Sequence, residues 1–417
     1  MKQLFAAFLF LVFGFNALFA VDATLKIEKD VEQRTRISLV DGSESQNNTI
    51  FRLLLSDLKI SGHFLVDENH HKGDFSSNFT LPALKNSEYI LKYALIEKEG
   101  SRLQIRLVRT SDNIEIFQKS YAIANKIKTP FLAHKAVYDI NAVLKYPDIS
   151  WINRYVVFAR YTTPKRSEIV LADYTFTYQK VIIRGGLNLF PIWADRNQNS
   201  LYYSSYSGLM PTLYRLNIYS GHKEKIVSSE GMLVCSDVSR DGRKLLLTMA
   251  PDGQADIYQF DTNAGTKQRL TRFAGIDVGA KYIEEENMIV FVSNRLGYPN
   301  VYKKSIRSSA ATPIVYRGRN NNAVDAYKEK IVYVSRESHN TFGNNLFNLY
   351  LTTSRGVETR PLTTTGTNQF PRFSTDGSVV QYIKHLNGGS LIGYINLDTS
   401  QSLLFPVKSK KIQSIDW

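Results

Sequence analysis

The sequence predicts an α/β N-terminal domain followed by an all-β six-bladed β-propeller closed by its own C-terminal strand. Two interleaved series predict the propeller. Val170, Tyr214, Tyr258, Tyr302, Tyr350 and Tyr394 recur at intervals of 44, 44, 44, 48 and 44 residues. Trp193, Val238, Tyr282, Tyr327, Phe373 and Trp417 run in step with them at 45, 44, 45, 46 and 44. A period near 44 residues holding four short strands is the pattern of a propeller blade.

The first element is an apolar run from Leu4 to Phe15 behind Met1-Lys2, ended by the small residue Ala20. This is the layout of a secretory signal peptide over residues 1–20, with an uncleaved anchor as the alternative. No cysteine lies near the cleavage point, which argues against a lipid attached there. The single thiol, Cys235, excludes an internal disulfide, so packing alone holds the fold in an oxidising compartment. Residues 43% hydrophobic and 22% charged compose a folded chain. The net charge of +14, or +13 without Lys2, favours acidic partners, yet the cations are scattered and no nucleic-acid motif accompanies them. The densest cluster is Lys408, Lys410 and Lys411.

The α/β domain spans residues 21–147. Its tail, Asp22-Ala23-Thr24-Leu25-Lys26-Ile27-Glu28-Lys29-Asp30-Val31, alternates apolar and charged side chains around Leu25 and Ile27. Such a segment either stays loose, adds a strand to a partner sheet or forms an edge strand of its own domain. Ile37 to Val40 reads as a strand and Asp41-Gly42 as a turn. Ile50, Leu53, Leu54 and Leu58 then make one apolar face of a helix over Ser45 to Ile60, closed by Gly62. Strands follow at Phe64 to Val66, Tyr89 to Ile96, Leu103 to Val108 and Ile114 to Ile123. A second helix begins at Pro130, with Leu132, Ala136, Ile140 and Val143 on one stripe. His70-His71 has no acidic or thiol partner at ligand spacing, so a metal site is not expected there.

From residue 148 to 417 each repeat offers an inner strand, a polar turn such as Asp241-Gly242 or Asp376-Gly377, a buried strand, a loop and a third strand bearing the periodic tyrosine. The tyrosines and tryptophans read as core residues, because a period set by blade length does not put them on one exposed platform. The first second-strand, Tyr155 to Phe158, has no inner strand before it, and the missing one is Ile412 to Trp417. Sharing a blade between the two ends removes open sheet edges. Burial of Ile415 and Trp417 contributes roughly 4 kcal/mol, at about 1.5 to 3 per large apolar side chain. The longer fifth repeat puts its extra residues at Ser338 to Asn345.

The expected binding surface is the channel mouth, where the segments entering the inner strands converge. They carry Asn188, Leu189, Gly231, Met232, Leu233, Ile276, Asp277, Asn320, Asn321, Asn322, Asn368, Gln369 and Lys411, amide and apolar groups suited to a protein surface. No G-x-S-x-G turn or glycine-rich phosphate loop occurs, so no catalytic constellation is expected. The Asp-Gly pairs lack the alternating carboxylates of a calcium loop and read as turns.

Phe190-Pro191-Ile192-Trp193, Ser239-Arg240-Asp241-Gly242 and Phe370-Pro371-Arg372-Phe373-Ser374-Thr375-Asp376-Gly377 resemble the P-x-W-S-P-D-G blade pattern of the TolB family. Ser293 to Tyr302 resembles the segment that follows it, and the helix with Ser61-Gly62-His63-Phe64 is similar to the family's first domain. Glu284-Glu285-Glu286, Lys328-Glu329 and Gly231-Met232 depart from the pattern. The resemblance implies a monomeric, non-enzymatic periplasmic adaptor of the Tol-Pal system, without cofactor or bound metal, peripherally associated with the envelope. It implies that the C-terminal domain of TolA binds the tail and the lipoprotein Pal binds the channel mouth. The two sites are coupled in that family, and colicins exploit the same surface in some members. Outer-membrane integrity and envelope constriction at cell division are the implied roles. A glycan- or peptide-binding propeller, or the gating propeller of a peptidase, is the alternative.

Overall fold

The computed structural model describes residues 34–44, 48–78, 81–337, 346–386, 389–407 and 411–417, and the chain divides into two compact units, residues 1–124 and 125–417. The signal peptide, the tail Asp22 to Val31, the loop Ser338 to Asn345, Lys408 and Lys410 lie outside the described residues.

Among its described residues the first unit is a mixed sheet with one α-helix. Its elements are β1 (Thr35–Asp41), α1 (Thr49–Ser61), β2 (Phe64–Val66), β3 (His71–Lys72), β4 (Tyr89–Glu97), β5 (Ser101–Arg109) and β6 (Ile114–Ile123). The sheet order is β2-β1-β4-β5-β6, and β3 also pairs with β1. β1 and β2 are parallel, so the chain must cross over between them, and α1 makes that crossover. Ile50, Leu53, Leu54 and Leu58 form its buried face, as the helical spacing predicts. Gly62 ends α1 in the left-handed conformation (φ 81°), where its N–H donates to the Lys59 carbonyl.

The histidine pair departs from expectation. His70 Nε2 lies 2.9 Å from Asp41 Oδ2, and His71 Nε2 lies 2.7 Å from Asp67 Oδ2. β3 pairing with β1 brings Asp41 into reach across 29 residues, and Asp67 precedes His71 by four. Burial pushes the Asp41 carboxyl up, but hydrogen bonds from Lys72, Ser43 and His70 outweigh it and hold it below the usual range. The histidines therefore anchor the β1 end of the sheet. Among the described residues no group of three metal-binding side chains forms.

The second unit begins with α2 (Pro130–Val143), which sequence reading places in the first domain. Its buried face packs within the second unit instead. His134 Nε2 approaches Asp173 Oδ2 at 3.2 Å with both side chains fully buried, and Phe131 packs on Tyr155 and Tyr178. Aromatic complementarity outweighs position in the chain.

Six blades surround an axis. The inner strands are Asn188–Trp193, Leu233–Val238, Asp277–Ile283, Arg319–Tyr327, Thr367–Phe373 and Ile412–Asp416, which belong to blades two to six and then blade one. In blade one Ile412–Asp416 pairs antiparallel with Val156–Thr163, with Ile415 opposite Phe158 and Asp416 opposite Val157. The predicted closure is therefore a strand pairing between the two ends of the propeller. Trp417 Nε1 donates to the Phe373 carbonyl of blade six at 2.7 Å, and the indole packs against Trp151 and Tyr394. The periodic tyrosines occupy the blade cores: Tyr258, Tyr302 and Tyr394 are buried, while Tyr214 and Tyr350 stack on Tyr203 and Tyr333.

Candidate functional site at the channel mouth

Each of the six inner strands carries a register irregularity at the same level: Leu189/Ile192, Cys235/Asp237, Val278/Lys281, Asn322/Asp325, Gln369/Arg372 and Ile412/Ser414. A bulge re-aims the side chains around it. At four of these bulges a residue takes positive φ: Phe190 (54°), Gly279 (66°), Ala323 (48°) and Phe370 (51°). Glycine adopts this conformation freely, whereas a phenylalanine does so only when its surroundings impose it. Phe190 and Phe370 together with Pro191, Met232, Val278 and Val324 line a cavity of about 270 Å³ at the mouth. This socket is predominantly apolar.

Deeper along the axis the residues one place ahead of the second periodic series, or two places ahead at Asp325, form a charged ring. Around the channel it reads Asp416, Ile192, Asp237, Lys281, Asp325 and Arg372, with a cavity of about 200 Å³. Each aspartate accepts a backbone N–H from the next blade: Asp416 from Trp193 (2.9 Å), Asp237 from Tyr282 (2.7 Å) and Asp325 from Phe373 (2.8 Å). Lys281 Nζ stands 3.0 Å from Asp325 and 4.0 Å from Asp237, while Arg372 reaches Asp416 at 3.4 Å. Burial pushes the Asp237 carboxyl up to about 6 although Lys281 opposes the shift, and burial likewise raises Asp416 against Arg372. The ring ties neighbouring blades together by charge-assisted hydrogen bonds. Its five charged members stand in five different repeats, so no local sequence pattern marks it.

The predicted mouth residues divide into two groups. Asn188, Leu189, Leu233, Asp277, Asn321 and Asn368 are buried. Asn188 Nδ2 donates to the Gly185 carbonyl, Asn321 to Arg317 and Asn368 to Thr365, so these amides clip the loops that lead into their strands. Asp277 receives Arg295 at 2.7 Å. They build the mouth and do not face outward. Met232, Ile276 and Lys411 are exposed, with Gly231, Asn320, Asn322 and Gln369 half-buried; the side-chain Oε1 of Gln369 stands 3.1 Å from His385 Nε2. Phe190 and Phe370 were not among the predicted site residues, although the repeated Phe-Pro dipeptide in blades two and six marks them.

Antiparallel pairing puts the loops between second and third strands on this same side, as Asn188 opposite Ser205 and Thr367 opposite His385 show. These loops and their neighbours carry exposed Leu209, Met210, Leu296, Tyr316 and Leu386. Arg184, Arg272 and Arg317 are exposed beside them. The mouth is thus an apolar socket within an apolar and basic rim.

The TolB beta propeller domain matches residues 151–417. A "Tol-Pal system protein TolB" of Wolinella succinogenes is 46% identical over 417 residues, covering 98% of this chain and 99% of that protein. The chain belongs to the TolB family. A relative of the same description in Campylobacter jejuni is 38% identical over the full length of both chains. The crystal structure of TolB from Acinetobacter baumannii shares the fold, with a TM-score of 0.75 at 20% identity over 92% of this chain and 96% of that one. In this TolB-family chain the Ser-x-Asp-Gly motif makes the turn at the end of blades three and six opposite the mouth. Gly242 (φ 75°) donates its N–H to Ser239, and Gly377 (φ 73°) does the same to Ser374. Glu284, Glu285 and Glu286 hold positive φ in the corresponding turn of blade four without a glycine. Among the described residues no helix is long and apolar enough to cross a membrane.

Proposed function

We propose that this chain is a non-enzymatic periplasmic adaptor of the Tol-Pal system, exported by a signal peptide over residues 1–20 that is then removed. Its propeller mouth docks the lipoprotein Pal, and its tail, Asp22 to Val31, engages the C-terminal domain of a TolA-type protein. The observation that carries this reading is the apolar socket under Phe190 and Phe370, surrounded by exposed Met232, Ile276 and Lys411. A concave apolar centre with a polar and charged rim is the anatomy of a protein-docking site. The relatives' shared description as Tol-Pal proteins supports the choice of partner. Outer-membrane integrity and constriction at division follow from bridging the two membranes.

Titration of the mature chain against the soluble domain of Pal tests the docking. Saturable binding that weakens about tenfold or more on Phe370→Ala is expected, since central apolar anchors dominate such interfaces. No binding at high micromolar concentration overturns it. Removal of residues 22–31 should abolish capture of the TolA domain while Pal binding persists, and TolA capture by the truncated chain rules out the tail.

A further inference from the structure

We propose that Met210 and Met232 are a methionine-oxidation site on the mouth side of the propeller, converted to sulfoxides by peroxides, and that their oxidation loosens docking there. The second half rests on the docking reading above. The chain's single thiol, Cys235, is buried among the side chains of blades two and three, and burial pushes its thiol far above the ordinary cysteine range. A thiol without thiolate character is a poor target for oxidants. Two-electron oxidants therefore meet the thioethers.

The methionines divide sharply by exposure. Met249 is 0% exposed in the core between blades two and three, whereas Met210 is 42% and Met232 is 46% exposed. Met288 is half-buried at the start of its strand, at the end of blade four away from the mouth. Met210 lies in the loop between the second and third strands of blade two, next to Leu209, which is 106% exposed. Met232 lies in the connection into the inner strand of blade three, and its side chain lines the apolar socket. Among the described residues the two most exposed thioethers thus sit on the surface proposed to dock.

In the reaction a sulfur lone pair attacks one peroxide oxygen. The S–O bond forms as the O–O bond breaks, and the departing hydroxide takes the proton of the oxygen now on sulfur and leaves as water. The thioether is oxidised by two electrons and the peroxide is reduced. The product replaces an apolar, polarisable side chain by a strong hydrogen-bond acceptor. Burying that acceptor against an apolar partner leaves it unsatisfied, which disfavours the complex.

The test treats the mature chain with graded hydrogen peroxide and maps oxygen addition by mass spectrometry. Affinity for the soluble Pal domain is measured before and after. Met210 and Met232 should oxidise well ahead of Met249, affinity should fall on the order of tenfold, and a methionine sulfoxide reductase should restore it. The double variant Met210→Leu/Met232→Leu, taken against its own untreated affinity, should show no loss after the same treatment. Oxidation of Met249 at the same rate, an oxidised chain that binds as before, or a double variant that loses the same factor overturns the proposal. If the untreated chain does not bind Pal at all, the docking reading fails instead, and the oxidation map still decides whether these two residues are the modification site.

Discussion

Asp237 shows how a single side chain joins the blades and makes the channel responsive to pH. It accepts the Tyr282 N–H from the next blade and lies 4.0 Å from Lys281, which also contacts Asp325. Burial nevertheless raises its carboxyl from 3.8 to about 6. A carboxyl raised on folding binds its proton more tightly in the native state. Its stabilising contribution is therefore fully present below the unfolded value and is lost as pH rises through the folded one. Compared with Asp237→Asn, the wild-type chain should gain about 1–2 kcal/mol on going from about pH 7 to about pH 4.5, less than the full shift implies because the carboxylate keeps some contact with solvent. Urea unfolding of both proteins across that range reads the difference, and parallel curves contradict it. The sequence contains Asp237 in plain view, but nothing in its neighbourhood distinguishes it from a surface aspartate. Its partners are 44 and 45 residues away and meet it only across a blade interface.

At the scale of the element, the closing strand Ile412–Asp416 with Trp417 joins burial of large side chains to hydrogen bonds on both neighbouring blades. Ile412, Ile415 and Trp417 are buried, Asp416 caps the inner strand of blade two, and the Trp417 indole is hydrogen-bonded to blade six. Three large apolar side chains at about 1.5–3 kcal/mol each amount to roughly 5–9 kcal/mol. That is comparable to the whole stability of an ordinary domain, about 5–15 kcal/mol. Deleting residues 412–417 should therefore open the ring and lower the melting temperature of the second unit by well over about 10 °C, given a few degrees per kcal/mol. A melting curve that does not move contradicts closure by this strand. The strand was legible because its apolar residues continue a period established five times upstream. The allegiance of α2 was not: its stripe predicts a helix that buries one face but says nothing about which surface covers it.

For the whole molecule, the relevant quantities are charge and the arrangement of faces. The full chain carries +14, which the proposed removal of residues 1–20 with Lys2 lowers to +13, and exposed Arg184, Arg272, Arg317 and Lys411 belong to the mouth side. Long-range attraction of this kind acts on the rate of encounter more than on the lifetime of a complex. Raising salt from about 0.05 to 0.5 M shortens the screening length from about 14 to about 4 Å, and the association rate constant with the Pal domain should fall about tenfold, with dissociation changed far less. Stopped-flow measurement reads both constants. A rate indifferent to salt shows that the charge is a solvated surface with no part in docking.

The sequence alone carries the two-part architecture, the blade count and the closure, together with the helix α1 and the strands of the first unit other than β3. These are properties of spacing along the chain, where the period of apolar side chains reports which faces must be buried. Only the tertiary structure decided which residues of the mouth face outward. The six inner strands converge on one axis, and each is displaced there by a bulge that redirects its side chains. Around that axis Asn188, Asn321 and Asn368 become buried clips on the loops that enter their strands, Phe190 and Phe370 at the bulges line the socket, and Trp193 meets Asp416 across 223 residues. Convergence around an axis leaves no trace in the local pattern of any one strand.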